Sequence, residues 1–418
     1  MTTSSSIPAT APAPTRSLLR THRGFQLLLT GDTVSQFGSQ VTTLALPLVA
    51  LSTFHASAFQ MGLLTAASTV PVAIAGLPAG AWVDRMRRRP VLVATDLLRF
   101  ALLASIPLAY AFGELTLAQL YAVAVLAGTA TVFFDVAHLS YLPFLVGRDR
   151  LTEGNAVLQS ANRCAYFSSP AICGWLVQAV GPVGALLVDA VSFLASAGSI
   201  GAIRRSEPQP EHEPRGTLRQ QIAVGLRYVF HDAVLRMLVS SGVLLCLATT
   251  ALLAVQPILL VRDLKLSPGL YGLLLAGQSL GGFLGSLTAR SVIRRLGTAR
   301  TIWVPSVAVV PFVLLMPFTG HGWLVLLYPV GAFAFAVGIS IRNVAQLTYR
   351  QNSCPPELLG RMNASMRVLT WGAMPLGGLL GGALAQWGGT RAAMWAVFAL
   401  IVLSLLPVLT PALRAARD

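Results

Sequence analysis

Lysine is almost missing from this chain: Lys265 is the single one among 30 basic residues. Charge of either sign is scarce, with Asp, Glu, Lys and Arg making up 11% of 418 residues, against about 25% in an ordinary soluble domain. So little charge, beside 55% hydrophobic residues and a mean hydropathy of +0.69, excludes an ordinary soluble domain and points to a membrane protein. The four cysteines, Cys164, Cys173, Cys246 and Cys354, have no metal-ligand spacing; three lie in apolar segments, and they read as buried thiols packing as small hydrophobes. There is no Gly-x-x-x-x-Gly-Lys-Ser/Thr loop for a nucleotide, no His/Glu metal motif and no Gly-x-Ser-x-Gly elbow, so neither an enzyme nor a bound cofactor or metal is expected. Acids are few too. The net charge of +15 would suit a nucleic-acid partner if the arginines formed one face, but they sit between apolar segments, where they read as membrane topology.

What the chain does have is long apolar runs. About 20 mostly apolar residues cross a bilayer as a helix, and twelve such segments are predicted. They cover roughly residues 24–50, 59–83, 91–112, 116–140, 155–180 and 183–203, then 234–261, 269–290, 300–319, 322–348, 361–387 and 391–412. The runs lack the ten-residue alternation of a barrel, so the expected fold class is an all-α integral membrane protein. The arginine clusters at 16–23, 85–89, 148–150, 204–219, 290–295 and 350–361 all fall in loops of one parity; the other parity holds only Arg262, Lys265 and Arg391. Positive residues mark the cytoplasmic side, so both termini are expected there, in the inner membrane. Residues 1–23, rich in Ser, Thr, Pro and Ala, read as a disordered tail, with no cleavage site for a signal peptide. Residues 204–233 read as a linker followed by an interfacial amphipathic helix. That divides the chain into bundles at 24–203 and 234–413, with a short tail at 414–418.

The two bundles are copies. Val136-Ala-His-Leu-Ser-Tyr141 returns as Val344-Ala-Gln-Leu-Thr-Tyr349, 208 residues on. The same offset pairs Asn155 with Asn363, Gly174 with Gly382, Gln178 with Gln386 and Gly181 with Gly389, while Gly62-Leu-Leu answers Gly272-Leu-Leu. Two parallel six-helix repeats are an arrangement of secondary transporters.

The loop after span 2 reads GAWVDRMRRRP from Gly80. Gly-x-x-x-Asp-Arg-x-x-Arg-Arg between the second and third of twelve spans resembles motif A of the major facilitator superfamily, with Arg87 where that pattern usually has Gly. The segments LPFLVGRDRLTEGNAVLQSANR and PPELLGRMNASMRV resemble its drug:proton antiporter branch, which contains macrolide efflux proteins and the enterobactin exporter. Ser169-Pro170 stands where Gly-Pro is common in that branch. The resemblance covers nearly the whole chain. It implies a major facilitator fold and proton-coupled efflux of amphipathic small molecules by a monomer, or alternatively export of a siderophore, lipid or other metabolite.

Candidate residues follow. On a helical wheel Asp32, Ser35, Gln36, Ser39, Gln40, Thr42 and Thr43 share one side of span 1, so Ser35, Gln36, Ser39, Gln40 and Thr43 are expected to line a cavity. Charges at mid-membrane cost about 2.5–3.5 kcal/mol, which singles out Asp32, Asp135, Asp189, Arg163, Arg342 and Arg367. The resemblance makes spans 1 and 5 neighbours, so Asp32 and Arg163 are the expected proton-coupling pair. In the resembled family an acid near the cytoplasmic end of span 4 pairs with a motif-A arginine. This implies a cytoplasmic latch of Gly80, Asp84, Arg85, Arg88 and Arg89 with Asp135; the alternative is a proton relay through Asp135 and His138.

Overall fold

The computed structural model describes residue 18 and residues 22–76, 78–204, 207 and 218–410. Ten helical stretches there are long and apolar enough to cross a membrane. Span 1 is Arg23–Phe54, opened by His22, whose Nδ1 accepts from the Phe25 amide, and closed by His55 in the left-handed region. Span 2, Ala58–Ala75, starts from a reciprocal cap between Ser57 and Gln60 and continues in Pro78–Val83. Spans 3 and 4 are Arg88–Ala111 and Leu117–Val146. Span 7 is Ala233–Pro257, extended by a π-turn at Ile258–Asp263. Span 8 is Pro268–Leu296, span 9 falls within Thr298–Phe318, and span 10 within Gly322–Ser353.

Two stretches are twice too long. Leu151–Gly201 has 51 residues and Leu358–Leu409 has 52, roughly 75 Å each at 1.5 Å per residue, where the hydrocarbon core is about 30 Å thick. Each breaks at a glycine with positive φ, Gly181 at 76° and Gly389 at 81°, a conformation that costs glycine little. The first stretch turns back on itself: Gly154 near its start lies beside Phe25, and Ile203 just past its end lies beside Gly24. In the second, Met362, Met366 and Val408 share one core cluster with Leu235 and Leu238. Each stretch therefore makes two crossings, spans 5 and 6 and spans 11 and 12, which gives the twelve predicted. The repeat pair Gly181/Gly389 is the hinge of both.

The N-terminal segment is docked at Leu18, which is fully buried and whose amide donates to Glu153 Oε1 at 2.7 Å; residues 1–17 and 19–21 lie outside the described residues, as do 411–418. The amphipathic helix, Leu218–His231, packs on protein as well as facing outward. Gly225 sits against Ser365 and the Arg361 backbone, and Val229 is buried.

The halves meet through glycines at the end of the bundle away from the arginine loops. Gly62 of span 2 packs on Gly378 and Gly382 of span 11, and Gly174 of span 5 packs on Gly272 of span 8. A matching pair of hydrogen bonds joins them. The Gly269 amide donates to Gln178 Oε1 at 3.1 Å, and the Phe59 amide to Gln386 Oε1 at 3.4 Å. The residues that betrayed the repeat are thus the two symmetry-related clasps of one closed end. At the arginine end a groove of about 250 Å³ separates Val72–Gly76 from Gly360–Trp371. Gly277 has only Pro329 near it, while Gly281 and Gly285 let span 8 approach span 10 at Phe333 and Val337.

Candidate functional site: a central cavity and a buried charge cluster

Below the closed end lies a cavity of about 660 Å³ between the halves, walled by spans 1 and 5 on one side and 7, 8 and 10 on the other. That volume suits a drug-sized molecule. Gln36, Gln40 and Thr43 line it, spaced 4 and 3 residues apart on one helical face. The stripe expected on span 1 is narrower than seven residues. Ser35 is buried, and Ser39 is not among the lining residues but donates to the Ser35 carbonyl at 2.9 Å. Thr42 turns away to donate to Asp189, which also accepts from Ser192. Across the cavity Gln256 and Gln278 supply further amides, and Phe167 and Phe283 form a tilted ring pair with centroids 5.9 Å apart.

Asp32 and Arg163 do not pair. Arg163 faces the cavity and donates to Ser286 Oγ of span 8 at 3.4 Å. Asp32 is 1% exposed, with Oδ1 3.6 Å from His138 Nε2 of span 4. Asp32 shares a face with Gln36 but lies one turn nearer the arginine end, where His138 of span 4 covers it. Around this pair the structure assembles a cluster that spans 1, 3, 4 and 6 all feed. Asp96 and Arg99 form a buried ion pair. The Arg99 guanidinium sits 4.3 Å from the Phe134 ring and 4.2 Å from the Phe193 ring, a cation held between two aromatic faces. Asp135 is exposed at the edge of the cluster, where Arg99, His138 and Asp32 are its neighbouring charges. Asp32 Oδ2, Asp96 Oδ2, Arg99 Nε and Ser196 Oγ are buried without a hydrogen-bond partner. Sequence reading passed over Asp96 and Arg99. The signal was there: an acid and a base three apart inside the apolar run of span 3, on one side of the helix.

Of the residues expected in a latch, Arg88 and Arg89 meet an acid other than Asp135. Arg88 pairs with Glu207 at 3.3 Å, and the Arg89 amide donates to the other Glu207 oxygen at 3.1 Å. The Arg89 side chain reaches the carbonyls of Ile200 and Gly201. Asp135 is not the partner of Arg88; span 4 turns it toward Arg99. Arg85 and Asp84 are exposed, and a Cβ at Gly80 would meet nothing within 4 Å, so Gly80 is not a site of close helix approach here. In Glu207→Gln, amide exchange at Arg89 is expected to rise about tenfold, from loss of roughly 1.5 kcal/mol of charge-assisted bonding. Unchanged protection in exchange mass spectrometry would remove Glu207 from the latch.

The second half answers the cluster without acids. Arg342 of span 10 is 2% exposed and donates to Ser241 Oγ of span 7 at 2.6 Å. With its amide turned oxygen-first, Gln346 accepts from Arg342 Nε at 2.8 Å. Gln346 is the repeat counterpart of His138. The same position thus serves an acid in one half and an arginine in the other. Arg367 is exposed, over Trp371 at 5.1 Å in the groove at the arginine end.

Two six-helix bundles around a shared cavity, clasped at one end, define a major facilitator transporter. The chain belongs to the transmembrane secretion effector family, whose model matches residues 13–418. It is 28% identical over 417 residues to the multidrug efflux pump Tap of Mycolicibacterium fortuitum, covering 95% of this chain and 98% of that one. The enterobactin exporter EntS of Citrobacter koseri is 24% identical over 408 residues, 94% and 93% of the two chains. Among solved structures, a bacterial homologue of the iron transporter ferroportin in its inward-facing state superposes with a TM-score of 0.78 at 17% identity, covering 96% of this chain and all of that one.

Proposed function

We propose that this protein exports amphipathic small molecules across the inner membrane by alternating access, with both termini cytoplasmic and a proton gradient as the energy source. The observation that carries this is the cavity: drug-sized, mixed amide and aromatic, shared by both halves and closed at one end only. The conformation, clasped away from the arginine loops, corresponds to the cytoplasm-open state of the cycle. The named activity of the Tap relatives supports efflux of drugs.

Coupling is assigned to the first bundle. Asp32, Asp96 and Asp189 are buried with a single buried arginine, Arg99, among them. Three buried acids face one arginine and one imidazole, and a buried charge without a full partner is costly. A group that must hold a proton when covered and can lose it when exposed is what coupling requires. Asp32 with His138 is the pair that reaches furthest toward the cavity face of span 1, which revises the Asp32–Arg163 expectation. Asp135 with His138 stands at the cluster's edge, where a relay to the outside would begin.

The deciding experiment is flux in proteoliposomes. Substrate accumulation that is driven by an imposed pH gradient and collapses with an uncoupler is the expected result. Accumulation indifferent to the gradient would remove proton coupling; no flux with any amphipath tried would remove the export reading. Export of a siderophore is the second reading, favoured by the enterobactin exporter among the relatives, and the same assay separates the two by substrate.

A further inference from the structure

The charges of this protein are sorted by place. Every buried acid among the described residues of the first bundle's interior, Asp32, Asp96 and Asp189, is turned into that bundle, onto His138, Arg99, Thr42 or Ser192. The cavity keeps none of them. Among its lining residues there is no Asp or Glu, and Arg163 is the one charged side chain. Its guanidinium is exposed to the cavity and is bonded to a hydroxyl, Ser286 Oγ, instead of a carboxylate. The repeat places Trp371 at the matching position of the second half, so the repeat supplies no acid to balance the cation.

From this we propose that the cavity selects amphipathic molecules bearing an acidic group, such as a carboxylate, phenolate or sulfonate on an aromatic body, and disfavours lipophilic cations. The inference rests on the export reading and narrows its substrate class. The chemistry is direct. A guanidinium offers a planar fork of donors that fits an oxyanion. The low-dielectric walls strengthen its attraction for an anion and its repulsion of a cation alike. Phe167 and Phe283 stand on the same two spans as Arg163 and Ser286, so an aromatic body can stack while its acidic group meets the cation. The glutamine amides tolerate neutral polar groups, which leaves breadth of substrate without leaving a place for a positive charge.

Two xanthene dyes of similar size and opposite charge test it: fluorescein, an anion at pH 7.5, and rhodamine 123, a permanent cation. In equilibrium binding by fluorescence polarisation with the full-length protein in nanodiscs, fluorescein is expected to bind at least tenfold tighter, equivalent to about 1.4 kcal/mol. Arg163→Gln should remove that preference and Arg163→Lys should keep most of it. Rhodamine 123 binding as tightly as fluorescein overturns the proposal, as does an Arg163→Gln protein with unchanged fluorescein affinity. The wild-type comparison stands by itself should Arg163→Gln fail to fold. Failure of the underlying reading looks different. Transport of rhodamine 123 without preference for fluorescein sinks the charge selection alone, while absence of flux for both dyes and for a neutral aromatic amphipath sinks export and the selection with it.

Discussion

Asp32→Asn is expected to abolish uphill export while leaving substrate binding and downhill exchange in place. Asparagine keeps the size and the hydrogen-bonding oxygen of aspartate but cannot bind and release a proton, so the cavity, one turn further along at Gln36 and Gln40, keeps its shape. One unit of pH gradient is worth about 1.4 kcal/mol per proton, so each coupled proton supports roughly tenfold accumulation. The mutant's accumulation ratio should fall to about one, and its counterflow should stay within a few-fold of wild type. His138→Gln installs the residue that the second half uses at the matching position, Gln346. It should retain transport, with accumulation within a few-fold of wild type, because the glutamine amide can meet the Asp32 carboxylate that the imidazole now faces at 3.6 Å. Wild-type accumulation by Asp32→Asn would move the coupling site elsewhere, with Asp96 the next acid to test.

The second large effect is expected at the clasp. A Cβ at Gly62 would stand 2.7 Å from the Gly378 carbonyl and 2.7 Å from Gly382 Cα; one at Gly174 would stand 2.7 Å from the Pro268 carbonyl and 2.8 Å from Gly272 Cα. Backbone cannot yield at those distances. Gly62→Leu and Gly174→Leu should therefore prevent the halves from closing at that end. Overpacking of this kind costs about 1–3 kcal/mol, which shifts a two-state equilibrium by roughly 5- to 150-fold toward the conformation open on that side. Spin-label distances between spans 2 and 11 at that end should lengthen, and flux should fall in proportion. Gly198→Leu is the control, since a Cβ there meets nothing within 4 Å. If both clasp variants close and pump as wild type does, the glycine contacts are packing without a role in gating.

These two predictions differ in how far the sequence alone could have reached them. Gly62, Gly174, Gly272 and Gly382 were marked in the sequence because the repeat wrote them twice, Gly62 with Gly272 and Gly174 with Gly382; that they meet crosswise, Gly62 on Gly382 and Gly174 on Gly272, only the packing shows. The proposed coupling site was only half legible. Asp32 stood out, since an acid in an apolar span is costly wherever it faces. Its partner did not, because a helical wheel gives the side a residue is on and not what covers that side. The wheel likewise grouped seven polar residues on span 1, yet a helix in a bundle touches several neighbours at once, and these divide the stripe between the cavity, His138 of span 4 and Asp189 of span 6.

What the sequence by itself determined is the number of crossings, their near-identical pairing in two halves and the two glycine turns. Those follow from local chemistry: the length of apolar chain that spans about 30 Å, and a backbone angle that glycine adopts freely. What only the tertiary structure decided is which charges meet. Arg88 finds Glu207 from beyond span 6, His138 finds Asp32, Arg99 is closed between Phe134 and Phe193, and Arg163 is left facing the cavity. Ion pairs form over 3–4 Å between different helices, and separations that small are set by the rotation and packing of whole spans, through hundreds of contacts that no single stretch of sequence contains.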